Sequence, residues 1–145
     1  MNWRQLVIED LKSYEFFKKA IVNNEERLQI AEHNLTNLKG IKYDYNPTST
    51  DTSHQEDVLI NNIVIKEQLK VTNRYNIFYT EWIEKGLKEL NEIELKVLDR
   101  FYINPSKNCV DKLAAELNYE KSKIYQLREI ALKKFTRCMY GISTQ

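Results

Sequence analysis

From Val7 onward, apolar residues return every seven positions: Val7, Tyr14, Ile21, Leu28 and Leu35, with Phe17, Ala31 and Leu38 among the residues three further on. This repeat predicts a long helix with an apolar seam along one face, ending at Gly40. Asp10 and Asn24 interrupt the second seam position. A polar seam residue costs stability but fixes register or partner number, so Asn24 reads either as a specificity device or as a solvated stretch of the seam. A second helix of similar length is predicted from about Glu56 to about Glu89, and it carries two apolar stripes. Val58, Ile65, Leu69, Tyr79 and Ile83 form one; Val64, Val71, Tyr75, Phe78 and Trp82 form the other. A single partner helix buries one stripe. An antiparallel hairpin with the first helix takes one of them, and the other needs either the C-terminal helices or a second copy of the chain. The expectation is a homodimer.

Between these helices, residues 40–55 are rich in Pro, Ser, Thr, Asp and Asn, which favour turns over helix, and read as a connector. Its last residues, Ser53 and Glu56, have the spacing of a capping box. The helical pattern restarts in "LNEIELKVLDRFYI", with Asn91 and Glu94 as a second cap and Val97, Leu98 and Phe101 as an apolar patch. "NPSKN" then breaks the chain, because proline lacks an amide donor and disfavours helix at the preceding residue. A short helix over Cys109–Leu117 turns Val110, Leu113, Ala114 and Leu117 inward, and Asn118 suits a left-handed turn. In the last helix Ile124, Leu127, Ala131, Phe135 and Cys138 share one face, opposite Ser122, Gln126, Glu129 and Lys133. Tyr125 and Lys121 flank one edge of that helix; Lys123 and Arg137 flank the other. The expected fold is all-α: a coiled-coil-like long-helix hairpin, read as the dimerisation region, over residues 1–89, then a helix-turn-helix domain over residues 90–145.

Composition agrees with this reading. Three glycines and two prolines in 145 residues leave few helix breaks. No apolar run approaches the ~18 residues of a membrane span, and the acids near the N-terminus interrupt any signal-peptide core. A soluble protein of the cytoplasm is expected, with no membrane partner. Cys109 and Cys138 lack metal-binding spacing and read as free, buried or half-buried side chains. The net charge of +1 conceals an asymmetry: residues 1–90 hold 12 Lys/Arg against 14 Asp/Glu, and residues 91–145 hold 10 against 7. Lys121, Lys123, Arg128, Lys133, Lys134 and Arg137 crowd into one stretch of the last helix with a single acid, Glu129. Positive charge therefore gathers on the second helix of the predicted helix-turn-helix, the one that would enter a DNA major groove. Lys121, Ser122, Tyr125 and Gln126 are the candidate base-contacting residues, glutamine being suited to bidentate pairing with adenine. Asn108, Lys123, Lys133, Lys134 and Arg137 are the candidate phosphate contacts. His33 and His54 have no nucleophile or carboxylate cluster around them in sequence, and no Gly-rich phosphate loop exists. Neither an enzyme, a cofactor nor a metal site is expected.

Residues 90–135 resemble region four of bacterial sigma factors. The similarity rests on Leu90, on Glu94 with Val97 and Leu98, on "DKLAAELN" at 111–118 and on "IYQLREIALKKF" at 124–135. Asn118 stands where that pattern usually has glycine, and Tyr125 where it often has an arginine used on DNA. Nothing upstream resembles the rest of a sigma factor. The whole-chain order of long helix, Ser/Pro/Thr/Asp connector, second long helix and sigma-like helix-turn-helix resembles the RinA/ArpU group of phage-encoded transcriptional regulators. That resemblance implies an activator of late packaging and structural genes in a bacterial host, acting on double-stranded DNA with possible contact to host RNA polymerase. Two other functions fit the same elements: a DNA-packaging adaptor of the small-terminase kind, and a sigma-like module acting mainly through RNA polymerase.

Overall fold

The computed structural model describes residues 2–39 and 51–143, the side chains of residues 37–39 and 51–53 excepted. It is all-α: α1 (Trp3–Lys39), α2 (Asp51–Leu87), α3 (Glu92–Leu98), a π-helical turn (Asp99–Ile103), α4 (Cys109–Leu117) and α5 (Lys121–Tyr140). α1 and α2 pack against each other. No described helix is long and apolar enough to cross a membrane. α2 begins at Asp51, five residues before the expected start, so Ser53 and His54 lie within the helix rather than in a connector. Residues 40–50, the rest of the expected connector, lie outside the described residues, as does the side chain of Leu38.

The chain divides into two compact units, one made of Met1–Lys18 with Phe78–Gln145, the other of Lys19–Ile77. In the first, the start of α1 and the end of α2 join α3, the π-helical turn and α5 around one core that includes Val7, Ile8, Leu11, Ile83, Leu87, Leu98, Ile103, Phe135 and Met139. A second cluster of Val97, Leu113 and Ile124, with Val110, Ala114, Leu117 and Leu127 packed on it, joins α3, α4 and α5. Phe101 on the π-helical turn touches both clusters. At Gly86, α2 lies close against α5. A Cβ there would lie 2.7 Å from Met139 Sδ and 2.8 Å from Phe135 Cε2, so a β-branched residue forces the buried ring to move.

Asp10 explains the first interruption of the seam. It is buried and accepts a hydrogen bond from the Tyr140 hydroxyl, which closes the end of α5 onto α1. Burial pushes its carboxyl above the usual carboxylate range, and the Tyr140 hydrogen bond acts the other way. Tyr140 also stacks edge-on against Trp82, with ring centroids 5.3 Å apart. Tyr14 hydrogen-bonds Glu84 at 2.8 Å, and Phe17 lies 5.3 Å from Tyr79 between ring centroids, fixing the antiparallel pairing of α1 with α2 in this unit.

In the other unit the same antiparallel pairing is marked by Lys66 and Glu32, 3.3 Å apart. Its interior is thin. Among the described side chains, Ala31, Leu35, Asn73 and Asn76 are the buried ones. Ile65, a member of the first apolar stripe of α2, is exposed, because Asn62, Asn73 and Asn76 occupy more of the row facing α1. Asn24 on α1 is half-buried.

Three expected caps and turns have direct structural counterparts. Asn91 caps α3 in a full capping box, accepting from the Glu94 amide at 2.8 Å while the Glu94 carboxylate takes the Asn91 amide. Asn118 closes α4 at φ 57°, a left-handed conformation that asparagine tolerates better than most residues. Proline at 105 follows directly on the helix end, where the Asn104 amide bonds the Asp99 carbonyl at 2.8 Å. That five-residue step is the π-helical turn. It inserts one extra residue before the break and so brings both Tyr102 and Ile103 into the core.

Candidate nucleic-acid interface

α4, the turn at Asn118 and α5 form two helices held at their shared cluster, with α5 the longer. The buried row of α5 changes along its length. Ile124 and Leu127 face α4, whereas Leu132, Phe135, Thr136 and Met139 face the core shared with α1 and α2. Because the helix changes partners, its inward row rotates toward Thr136 and Met139. Cys138, expected to lie inward, is exposed; Cys109 is half-buried.

Facing away from this core, Ser122, Lys123, Gln126, Ile130, Lys133 and Arg137 form one continuous exposed strip at helical spacing. Among the described residues, Lys123, Lys133 and Arg137 make no ion pair within 4 Å. The strip is therefore a row of uncompensated cations around two neutral hydrogen-bonding side chains. Ile130 is the member that periodicity did not single out. It sits between Gln126 and Lys133 on the outward row, 51% exposed, and offers an apolar contact of the kind that suits a thymine methyl.

The other predicted site residues are exposed, and Lys121, Lys134 and Tyr125 are engaged by neighbours. Lys121 pairs with Asp111 of α4 at 2.8 Å, which raises the Lys121 pKa through that hydrogen bond. Both groups are open to solvent, so the pair contributes little stability and yields readily to a competing anion. Lys134 lies 3.2 Å from the buried carboxylate of Glu94, where it offsets a charge inside the α3 cap. Tyr125 stands at the edge of the strip beside Phe101, with the Arg128 guanidinium 5.2 Å from its ring centre. Asn108 is exposed at the start of α4 in a left-handed conformation, φ 55°.

Glu129 does not belong to the open face. It takes the guanidinium of Arg4 at 2.8 Å and that of Arg128 at 3.1 Å, and these contacts, Arg4 first, hold its carboxyl below the usual range. The one acid of the helix is thus neutralised by the first turns of α1. That arrangement joins residues 125 positions apart, and no sequence spacing reveals it. Lys96 and Arg100 are likewise turned toward Glu116 of α4.

The chain is all-helical, and α5 turns its basic strip away from the cluster that it shares with α4. No family model matches the chain, and no curated protein or solved structure matches it.

Proposed function

We propose that the chain is a sequence-specific DNA-binding transcriptional regulator that inserts α5 into a major groove. The observation that carries this reading is the outward strip of α5, with its three unpaired cations, its Gln and Ser, and its single acid drawn away by Arg4 and Arg128. In this reading Ser122 and Gln126, near the N-terminal end of the helix, address base edges, with Lys121 and Tyr125 beside them. Lys123, Lys133 and Arg137 meet phosphates and set the register, Asn108 joins from the start of α4, and Lys134 contributes the weaker share left by its pairing with Glu94. A dimer built through the long helices presents two such helices to an inverted repeat. The sigma-like pattern of residues 90–135 and the resemblance of the whole chain to the RinA/ArpU group extend the proposal to activation of phage late genes, with host RNA polymerase as a second partner.

The test is Gln126→Ala. On the preferred site the variant is expected to lose about 1–3 kcal/mol of binding free energy, while its binding to random duplex stays unchanged. Equal losses on both DNAs, measured by fluorescence anisotropy, remove Gln126 from base readout.

A further inference from the structure

The unit formed by Lys19–Ile77 exposes more large apolar side chains than it buries. Leu35 is its one large buried apolar side chain among the described residues, yet Ile60 is 57% exposed, Val64 47%, Val71 63% and Tyr75 56%. On α2 these residues lie within a narrow stripe, on the side of the helix away from Asn73, Asn76 and Leu69. Val64 and Val71 are seven residues apart, as are Gln68 and Tyr75, and the two series are offset by four. That is the spacing of a coiled-coil seam, with Gln68 as its polar member. A two-helix hairpin with so small an interior needs a further layer to bury this face.

We propose that the layer is a second copy of α2, packed antiparallel about a point between Leu69 and Lys70. This gives the homodimer of the functional reading its surface and polarity, and it rests on that reading only for its consequence at DNA. In this register Val64 of one chain meets Tyr75 of the other, and Val71 meets Gln68, so these four positions of the stripe cover one another. The flanking charges select the same register. Glu67 and Arg74 are exposed beside the seam, and the antiparallel arrangement places each opposite the other's copy, twice per dimer. Sliding one helix along the other by one heptad in one direction sets Glu67 against Glu67; in the other it sets Arg74 against Arg74. A parallel pair sets Glu67 opposite Thr72 and Arg74 opposite Tyr79, with no charge complementarity at all. Gln68 then fixes partner number at some cost in stability, the role polar seam residues commonly have.

The experiment is sedimentation equilibrium on the full chain without DNA, so that its outcome stands apart from the DNA-binding reading. Wild type is expected to be dimeric. Glu67→Arg alone and Arg74→Glu alone each replace two attractive pairs by two repulsive ones and are expected to weaken the dimer by roughly tenfold or more. The exchanged double variant, Glu67→Arg with Arg74→Glu, is expected to regain the wild-type dimer constant. Circular dichroism of all three should match wild type, since both positions are exposed. A monomeric wild type, a ring of more than two copies, single reversals without effect, or a double variant no tighter than the singles each overturn the proposal.

Discussion

Phe135→Ala is expected to destabilise the protein by about 3–5 kcal/mol, the usual cost of emptying a fully buried aromatic site. Phe135 is wholly enclosed, and it touches the place where α2 lies close against α5. It belongs to one buried core with Val7 and Leu11 on α1, Ile83 on α2, Leu98 on α3 and Met139 on α5. The cavity has little means of collapse, because Gly86 offers no side chain to fill it and the other core residues are held by their own helices. Urea unfolding followed by far-ultraviolet circular dichroism measures the loss. A change below about 1 kcal/mol, within the range of volume-conserving swaps, means that the core of this unit is not organised around the ring.

The second large effect concerns binding. Replacing Lys123, Lys133 and Arg137 together by alanine is expected to lower affinity for random duplex DNA by about 10²–10³-fold near 0.1 M salt. The slope of log affinity against log salt should fall by about 2.7, since each phosphate contact releases close to one counterion. All three side chains are exposed, so folding should survive their removal. Gln126→Ala, by contrast, leaves the slope unchanged. An unaltered slope in the triple variant shows that the outward strip of α5 does not meet the phosphate backbone.

Much of the fold was legible because it is written in local periodicity. The seven-residue seam of α1, the Asn91 capping box, the bounds of α4 and the left-handed Asn118 each depend on residues within a turn or two of one another. What escaped the sequence depends on partners far along the chain. The π-helical turn at Asp99–Ile103 follows from the packing of Tyr102 and Ile103 into a core built from α1 and α2. Cys138 turned outward because α5 exchanges α4 for α1 and α2 as its packing partner. Asp10 interrupts the seam because its partner, Tyr140, lies at the far end of the chain. The outward strip of α5 was largely legible, since its exposed face is the complement of its apolar one. The sorting of its cations was not: Lys121 and Lys134 are drawn to Asp111 and Glu94, while Arg4 and Arg128 neutralise Glu129.

The most direct measurement is fluorescence anisotropy of the wild-type chain against duplex fragments from its own genomic neighbourhood and against a shuffled control, titrated across salt. One fragment is expected to bind at least about 10³-fold more tightly than the shuffled DNA, with affinity falling steeply as salt rises. Equal binding to every fragment contradicts sequence-specific regulation by α5 and assigns specificity to a partner.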